Sequence, residues 1–446
     1  MSESYTTVPA ARSENAFEDF KQPYTKNLAV AEANRCLYCN DAPCITACPT
    51  GIDIPEFIRK IGTGNVRGAA RTIFSSNIFG MSCARVCPVE VLCVGDCVYN
   101  GLEAPPIQIG KLQRYATDAA FEAGWDFFQA GPDTGKSVGL VGGGPASLAA
   151  AHRLRRAGHA CTIYEKRDVL GGLNTWGVAP YKMKADRAMQ EIDWLLAIGG
   201  IEVRTGVTAG ADISWSDLGE KHDALFVGAG IGADTWLEIP GHDLEGIEGA
   251  VAFIEKLKRG VVSLDGVRHA LVVGGGNTAI DAVRELLGLG LRNVTMLYRR
   301  DESDMSGYAH EWEAAKKEGA RAVWRCLPTS FEPAQNDGGG ARVARVPCVR
   351  LDEHRRPLDG SEFELESELV LFAIGQEKRT RPPEGLEGVN VERGRIVVDE
   401  HGATGRPGVF AGGDCVNGGK EVVNAVAEGT TAAEAIDRYL RGERNA

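Results

Sequence analysis

No apolar run in the 446-residue chain approaches the roughly 18 residues that suggest a membrane-spanning helix. Positive charge is also short: 61 acidic residues outnumber 49 basic ones, for a formal net charge of -12. Nucleic-acid binding usually shows as a basic face, and this balance argues against it. The stretch from Met1 to Phe20 is polar and acidic, without the basic and apolar regions of a secretory signal, so a reducing cytoplasm is the expected compartment. With 43% apolar and 25% charged residues, the composition is that of a soluble globular protein, long enough for three domains of ordinary size.

Cysteine, by contrast, is abundant and unevenly spread. Eight of the twelve lie between residues 36 and 97, as Cys36-x2-Cys39-x4-Cys44-x3-Cys48 followed by Pro49, then Cys83-x3-Cys87-Pro88-x5-Cys93-x3-Cys97. Thiolates packed this closely in a reducing compartment favour metal over disulfides. Zinc would want two compact pairs around a modest loop, whereas here each Cys-Pro closes a run of thiolates, as in ferredoxin-type runs whose last cysteine serves the other cluster. The reading is two iron-sulfur clusters with ligands exchanged between the runs; structural zinc and buried free cysteines are the competing readings.

Helical spacing is expected at 29–36, 55–62, 66–74 and 109–121, and the breaker-rich Gly131-Pro132-Asp133-Thr134-Gly135 reads as a linker. The grammar then changes. A strand at 137–141 leads into Gly142-Gly143-Gly144-Pro145-Ala146-Ser147, a helix at 148–157 and a strand at 160–164 that ends at Glu165. This is a dinucleotide-binding unit: the glycines let the backbone approach a pyrophosphate at the helix N-terminus, and the acid can bond a ribose hydroxyl. The third glycine of the usual fingerprint is Ser147 here, and the strand, helix and acid around it supply the specificity. The pattern returns with a strand at 270–273, the turn Gly274-Gly275-Gly276-Asn277-Thr278-Ala279, a helix at 280–287 and a strand at 294–298 followed by Arg299 and Arg300.

Two such units in one chain read as a flavin domain with a nicotinamide domain inserted into it, and the flavin fold must then be completed after the insertion. The segment Gly408-Val409-Phe410-Ala411-Gly412-Gly413-Asp414 supplies a strand whose terminal carboxylate meets the flavin's ribityl or pyrophosphate region. A helix from Val422 and Val423 to Tyr439 would point its N-terminus at the isoalloxazine. Crossovers are expected at 224–232 and 369–376, the latter carrying Gly375, and an antiparallel meander at 331–365 with a hairpin turn at Gly338-Gly339-Gly340. The expected fold class is α/β: a helical two-cluster domain at 1–130, an FAD domain at 137–247 and 377–446, and an NAD(P) domain at 248–376. The remaining cysteines, Cys161, Cys326, Cys348 and Cys415, are isolated in sequence and read as small buried residues, which leaves no redox-active Cys-x-x-Cys beside the flavin.

With these elements in order, the chain resembles the iron-sulfur flavoproteins that feed electrons to a larger partner. That family includes the small subunit of glutamate synthase and the N-terminal half of dihydropyrimidine dehydrogenase. The stretches DAPCITACPTGIDIPEFI, GNVRGAARTIFSSNIFGMSCARVCPVEVLCVGDC and GGKEVVNAVAEG are most similar to dihydropyrimidine dehydrogenase, in the form whose electron-input subunit is a separate bacterial chain. The resemblance implies one 4Fe-4S cluster on Cys36, Cys39, Cys44 and Cys97 and another on Cys48, Cys87, Cys93 and Gln113. The motif PIQIGKLQ carries the glutamine; the residues alone would offer Cys83, thiolate being the better donor for iron. It implies FAD contacts at Gly142, Gly144, Glu165, Gly172, Leu173 and Asp414. For the nicotinamide nucleotide, terminal arginines favour a 2′-phosphate. A second arginine expected seven residues on is instead Ser306, however, and Asp301, Glu302 and Asp304 lie between, so the expectation is NADH, with NADP(H) as the alternative and Arg299 and Arg300 as ribose contacts.

The implied function is oxidation of NADH, with electrons passing through FAD and the two clusters to an FMN-containing partner that reduces uracil or thymine. The alternatives are the glutamate synthase small subunit and an oxidoreductase serving a diffusible ferredoxin-type carrier. No stretch is left for an FMN barrel, so uracil reduction by this chain alone is not expected.

Overall fold

The structure, a computed structural model, describes residues 10–334, 342–378, 386 and 388–443. The glycines expected to form a hairpin turn at 338–340 lie outside the described residues.

Short helices build the region that carries the clustered cysteines. Asp53 caps Ile54–Gly62 by accepting the Glu56 N–H, and Asn65 caps Val66–Ser76 by accepting the Gly68 N–H. These helices bury Phe57, Ile58, Ile61, Ile73 and Phe74 against the long helix Ile109–Glu122. The first helix, Lys26–Ala33, stops short of the expected Cys36: residues 34–36 continue as turns, with the Cys36 N–H on the Ala33 carbonyl, so the first thiol sits on a loop.

The first sheet is parallel, in the order Val409–Ala411, Ala224–Val227, Ser137–Val141, Ala160–Glu165, Ile201–Thr205. Its central strands are continuous apolar runs because both faces are covered. The strand Val409–Ala411 arrives from beyond the second glycine-turn unit and sets Phe410 opposite Phe226. The second unit therefore interrupts the first. The helix Val422–Leu440 packs on Pro145–Ala157, and Gly429 permits the approach, since a Cβ there would stand 2.1 Å from the Ala146 carbonyl oxygen.

The second parallel sheet runs Ile247–Gly249, Leu369–Phe372, His269–Val273, Asn293–Tyr298, Arg321–Trp324. An antiparallel sheet of Cys326–Pro328, Glu332–Pro333, Val343–Arg350 and Phe363–Glu366 lies beside it.

Different devices fasten the two units to the helical region. Glu191, buried on the helix Ala185–Leu196, accepts the N–H groups of Met81 and Ser82 at 2.8 and 3.0 Å and the Ser82 hydroxyl, while Asn174 donates to that same hydroxyl. This ties the first unit to the helix Gly80–Val86. The second unit is held by the N-terminal segment: Ser13 N–H reaches the Gly260 carbonyl, Phe17 is buried in that unit's core, and Arg114 grips Asp19 and the Lys21 carbonyl.

Candidate active site

A cleft of about 410 Å³ runs from the first glycine turn to the helix that follows the second. Its walls include Gly142, Gly144, Pro145, Ala146, Glu165, Gly172, Leu173, Gly413, Asp414 and Val422 from the first unit, with Asn277, Thr278 and Tyr308 from the second. The helices Pro145–Ala157, Asn277–Gly288 and Val422–Leu440 all begin here without a side-chain cap, leaving backbone N–H donors for an anionic ligand. Gly142 holds φ +95, and a Cβ on it would stand 2.4 Å from the Gly228 carbonyl oxygen; a Cβ on Gly144 would meet nothing within 4 Å, so the space before the helix is open. These are the features a pyrophosphate needs.

Glu165 accepts the Gly143 N–H at 2.6 Å and the Arg167 N–H at 2.8 Å, so the acid expected to meet a ribose also clamps the glycine turn. Burial pushes Asp414 above the usual carboxylate range. Glu428 steadies the Gly-Gly-Asp segment by accepting the Gly413 N–H at 2.7 Å. Cys415 is fully buried, with its Sγ on the Val227 and Gly412 carbonyls, as an ordinary small core residue.

Where the units meet, the cleft is lined by charge. Lys182 lies 2.9 Å from Asp281 and 2.8 Å from Glu311, and Tyr181 donates to Asp281. Burial alone would pull Lys182 down, but the two carboxylates outweigh it and hold the ammonium above the lysine range. Tyr308 donates to Glu421 at 2.8 Å, and burial pushes both of these groups up. Lys182 and Glu421 come from the first unit; Asp281, Tyr308 and Glu311 come from the second. Sequence reasoning missed all five. They are far apart in the chain and belong to no local motif, and only the helical position of Asp281, one turn past the second glycine turn, marked its direction.

The cysteines gather around two hollows. Cys36, Cys39, Cys44 and Cys97 line one, among Ile54, Ile58 and Ile107. Cys48, Cys87, Cys93, Cys83 and Gln113 line the other. Gln113 donates its amide N–H to the Gly80 carbonyl at 2.7 Å, which leaves its Oε1 as the free donor atom. Burial pushes the Cys44 thiol up to about 12 and Cys93 higher, so thiolates in either hollow require a cationic centre beside them, as iron would provide. The donor sets therefore fit two clusters.

Val422 lines the cleft while its neighbour Val423 lines the second hollow, and Pro88 and Cys87 divide in the same way. Val423, expected among the flavin contacts, thus stands between the cleft's Val422 and the second hollow. Gly375 lies in a side chamber with Thr278, Gln376 and Asp234. Gly274 and Gly276 form the second turn, and Arg299 and Arg300 follow the strand Asn293–Tyr298 away from the main cleft.

Comparison with known proteins agrees with this construction. Residues 12–125 match the family model described as dihydropyrimidine dehydrogenase domain II, 4Fe-4S cluster, and residues 136–429 match pyridine nucleotide-disulphide oxidoreductase. The chain belongs to the pyridine nucleotide-disulphide oxidoreductases. Within that family it is a flavin and iron-sulfur oxidoreductase whose cofactors are FAD, a nicotinamide dinucleotide and 4Fe-4S iron. The NAD-dependent dihydropyrimidine dehydrogenase subunit PreT of Escherichia coli K12 is 33% identical over 429 residues, covering 96% of this chain and 98% of PreT. The glutamate synthase [NADPH] small chain of Azospirillum brasilense is 31% identical over 462 residues, covering 98% and 94%. Among solved structures of this oxidoreductase fold, Lactococcus lactis thioredoxin reductase aligns with TM-score 0.54 at 23% identity, over 69% of this chain and 99% of its own. FprA of Mycobacterium tuberculosis aligns with TM-score 0.53 at 20% identity, over 69% and 85%. These two likenesses concern the fold. No helix among the described residues is long and apolar enough to cross a membrane.

Proposed function

We propose that this chain is the electron-input subunit of a two-subunit dihydropyrimidine dehydrogenase, whose partner carries FMN and reduces uracil or thymine. In this reading Gly142, Gly144, Pro145, Ala146, Glu165, Gly172, Leu173, Gly413, Asp414 and Val422 hold FAD. The turn at Gly274, Gly276, Asn277 and Thr278, with Gly375, holds the nicotinamide nucleotide. One cluster rests on Cys36, Cys39, Cys44 and Cys97, the other on Cys48, Cys87, Cys93 and Gln113. Held there, a flavin would supply two-electron hydride chemistry and iron-sulfur centres would supply one-electron transfer.

The observation that carries the proposal is the shared wall. Residues 87–88 and 422–423 each face the cleft on one side and the second hollow on the other, so a reduced group in the cleft would lie beside a cluster site. The protein's own part is positional. Uncapped helix ends orient the phosphates, the Lys182 junction keeps the two nucleotide units together, and the apolar lining of the hollows excludes water.

A dihydropyrimidine dehydrogenase subunit and glutamate synthase small chains match at similar identity, so the second reading is a partner that makes glutamate. The native complex, purified anaerobically through this chain, should consume reduced dinucleotide when given uracil. Consumption only with glutamine plus 2-oxoglutarate would transfer the chain to the glutamate synthase branch. The isolated chain should reduce ferricyanide or a viologen but not uracil, and uracil turnover without a partner would overturn the division of labour. Gln113→Ala should lower the iron content by up to half while Cys83→Ala leaves it unchanged; the reverse result would make Cys83 the ligand.

A further inference from the structure

We propose that the side-chain amide of Asn77 donates to a sulfur of the second cluster and raises that cluster's reduction potential, an inference that rests on reading the second hollow as a cluster site. Asn77 follows the helix Val66–Ser76, with its N–H on the Ile73 carbonyl. Its Oδ1 accepts the Phe79 N–H at 2.9 Å, just ahead of the helix Gly80–Val86. That bond fixes which way the amide faces, because only its oxygen can accept. The nitrogen is turned away from the turn.

The residue is 0% exposed, and it lines the second hollow with Cys48, Cys87, Cys93 and Gln113. Its Nδ2 is buried and has no hydrogen-bond partner, Gln113 Oε1 included. A buried donor without an acceptor is costly. Apart from the thiols and Gln113, the other side chains around the hollow are apolar, and the Gln113 amide N–H is spent on the Gly80 carbonyl. The acceptor for Asn77 must therefore come from what fills the hollow, and an iron-sulfur cluster brings sulfur. The turn itself does not call for an amide, since aspartate or serine would accept the Phe79 N–H as well. Of the three, asparagine alone accepts there and still has an N–H for the hollow.

The first hollow is built differently. Its polar side chains other than the thiols are Asp96, an exposed acid, and Tyr99, whose hydroxyl is given to the Arg35 carbonyl. Among the described residues no uncommitted side-chain donor lines it. The second set has a further donor in the Thr50 hydroxyl, 3.3 Å from Cys48 Sγ, which can only donate once that thiol is ionised. A cluster that takes up one electron gains one negative charge, so an N–H aimed at its sulfur holds the reduced form more strongly than the oxidised form. The donor thus serves the cluster site that shares a wall with the cleft, where it favours the arrival of an electron.

Anaerobic redox titration of the purified holoprotein, followed by EPR, tests this without turnover. The second cluster's signal is the one absent from Cys93→Ala. Asn77→Ala loses the donor and should lower the midpoint potential of that signal by about 59 mV, a tenfold shift of a one-electron equilibrium, with the other signal unmoved. Asn77→Asp keeps the acceptor for Phe79 and adds a carboxylate, so it should keep its iron and lower the same potential further. Wild type labelled isotopically at the asparagine side-chain nitrogen gives a reading that needs no variant: the second signal should show a nuclear coupling to that nitrogen. Absence of the coupling, unmoved potentials in Asn77→Ala with both clusters present, or equal shifts of both signals would overturn the role of Asn77. A wild type with a single cluster signal, or a Cys93→Ala that keeps two, would instead overturn the cluster reading of the hollow.

Discussion

The two glycine-turn units share a strand order and a register, yet they end their second strands in opposite chemistry. In the first, Glu165 turns back and clamps the Gly143 N–H, so the acid is part of the cradle's own structure. In the second, Tyr298 covers the turn and two arginines project beyond it without partners among the described residues. The shared parts are those needed to bring a backbone to a pyrophosphate, and the differing parts are those that choose what is attached to it. On the proposed reading, the duplicated topology serves two ligands through its differing strand ends, the turn being common to both.

The comparison breaks most sharply at the turns. Gly142 at φ +95 and Gly274 at φ +149 would each drive a Cβ into a carbonyl oxygen, at 2.4 Å from Gly228 and 2.3 Å from Ala373. Either alanine variant should lose at least about 4 kcal/mol through strain and collision. Their losses of ligand should differ. Gly142→Ala should purify without FAD, whereas Gly274→Ala should keep the flavin colour and lose titratable 5′-ADP binding. Loss of flavin from both would mean that the second unit is needed to hold the first together.

A smaller effect is expected where the units meet. Replacing Lys182 with Met leaves Asp281 and Glu311 buried and facing each other without their cation, which costs about 3–5 kcal/mol. Thermal unfolding should begin earlier, and reduction of bound flavin by dinucleotide should slow while flavin content stays near normal. Adding Asp281→Asn and Glu311→Gln should recover much of the stability. An unchanged melting profile in the single variant would show that the junction does not join the units energetically.

The local parts of this architecture were legible in the sequence, because each motif carries its physics within about thirty residues. Both glycine turns, the return strand at 409–411 and the long helix from Val422 stand where their patterns put them. The helix starts were misjudged at both turns: Pro145 and Asn277 are already helical, since proline suits a first turn and an uncapped N-terminus needs no cap residue when a ligand is to satisfy it. Val423 lines the second hollow beside Val422 in the cleft, because a helix N-terminus can wall two chambers at once, which no one-dimensional pattern reveals. The Lys182 junction was not legible at all. Its five side chains converge only when two units, the second inserted into the first, are folded against each other.

The smallest effect concerns how the first unit is tied to the cluster region through a buried carboxyl group. Burial pushes Glu191 up to about 7, against the opposing pull of the bonds from Ser82 and Met81. Because its folded-state value lies above the ordinary 4.5, the folded protein binds the extra proton between those values and the unfolded chain does not. Stability from this group is therefore fully present at low pH and falls as pH rises through the window from about 4.5 to about 7, by up to about 1.4 kcal/mol per pH unit. Thermal unfolding of the holoprotein across that window should show the decline in wild type and a flatter dependence in Glu191→Gln, which keeps an acceptor but cannot ionise. Phe17→Ala removes an apolar contact of the second unit's fastening and no titratable group, so it should lower stability by the same amount at every pH. Parallel pH profiles for wild type and Glu191→Gln would show that the carboxylate keeps one charge state throughout, and that the two fastenings differ in contacts but not in their response to protons.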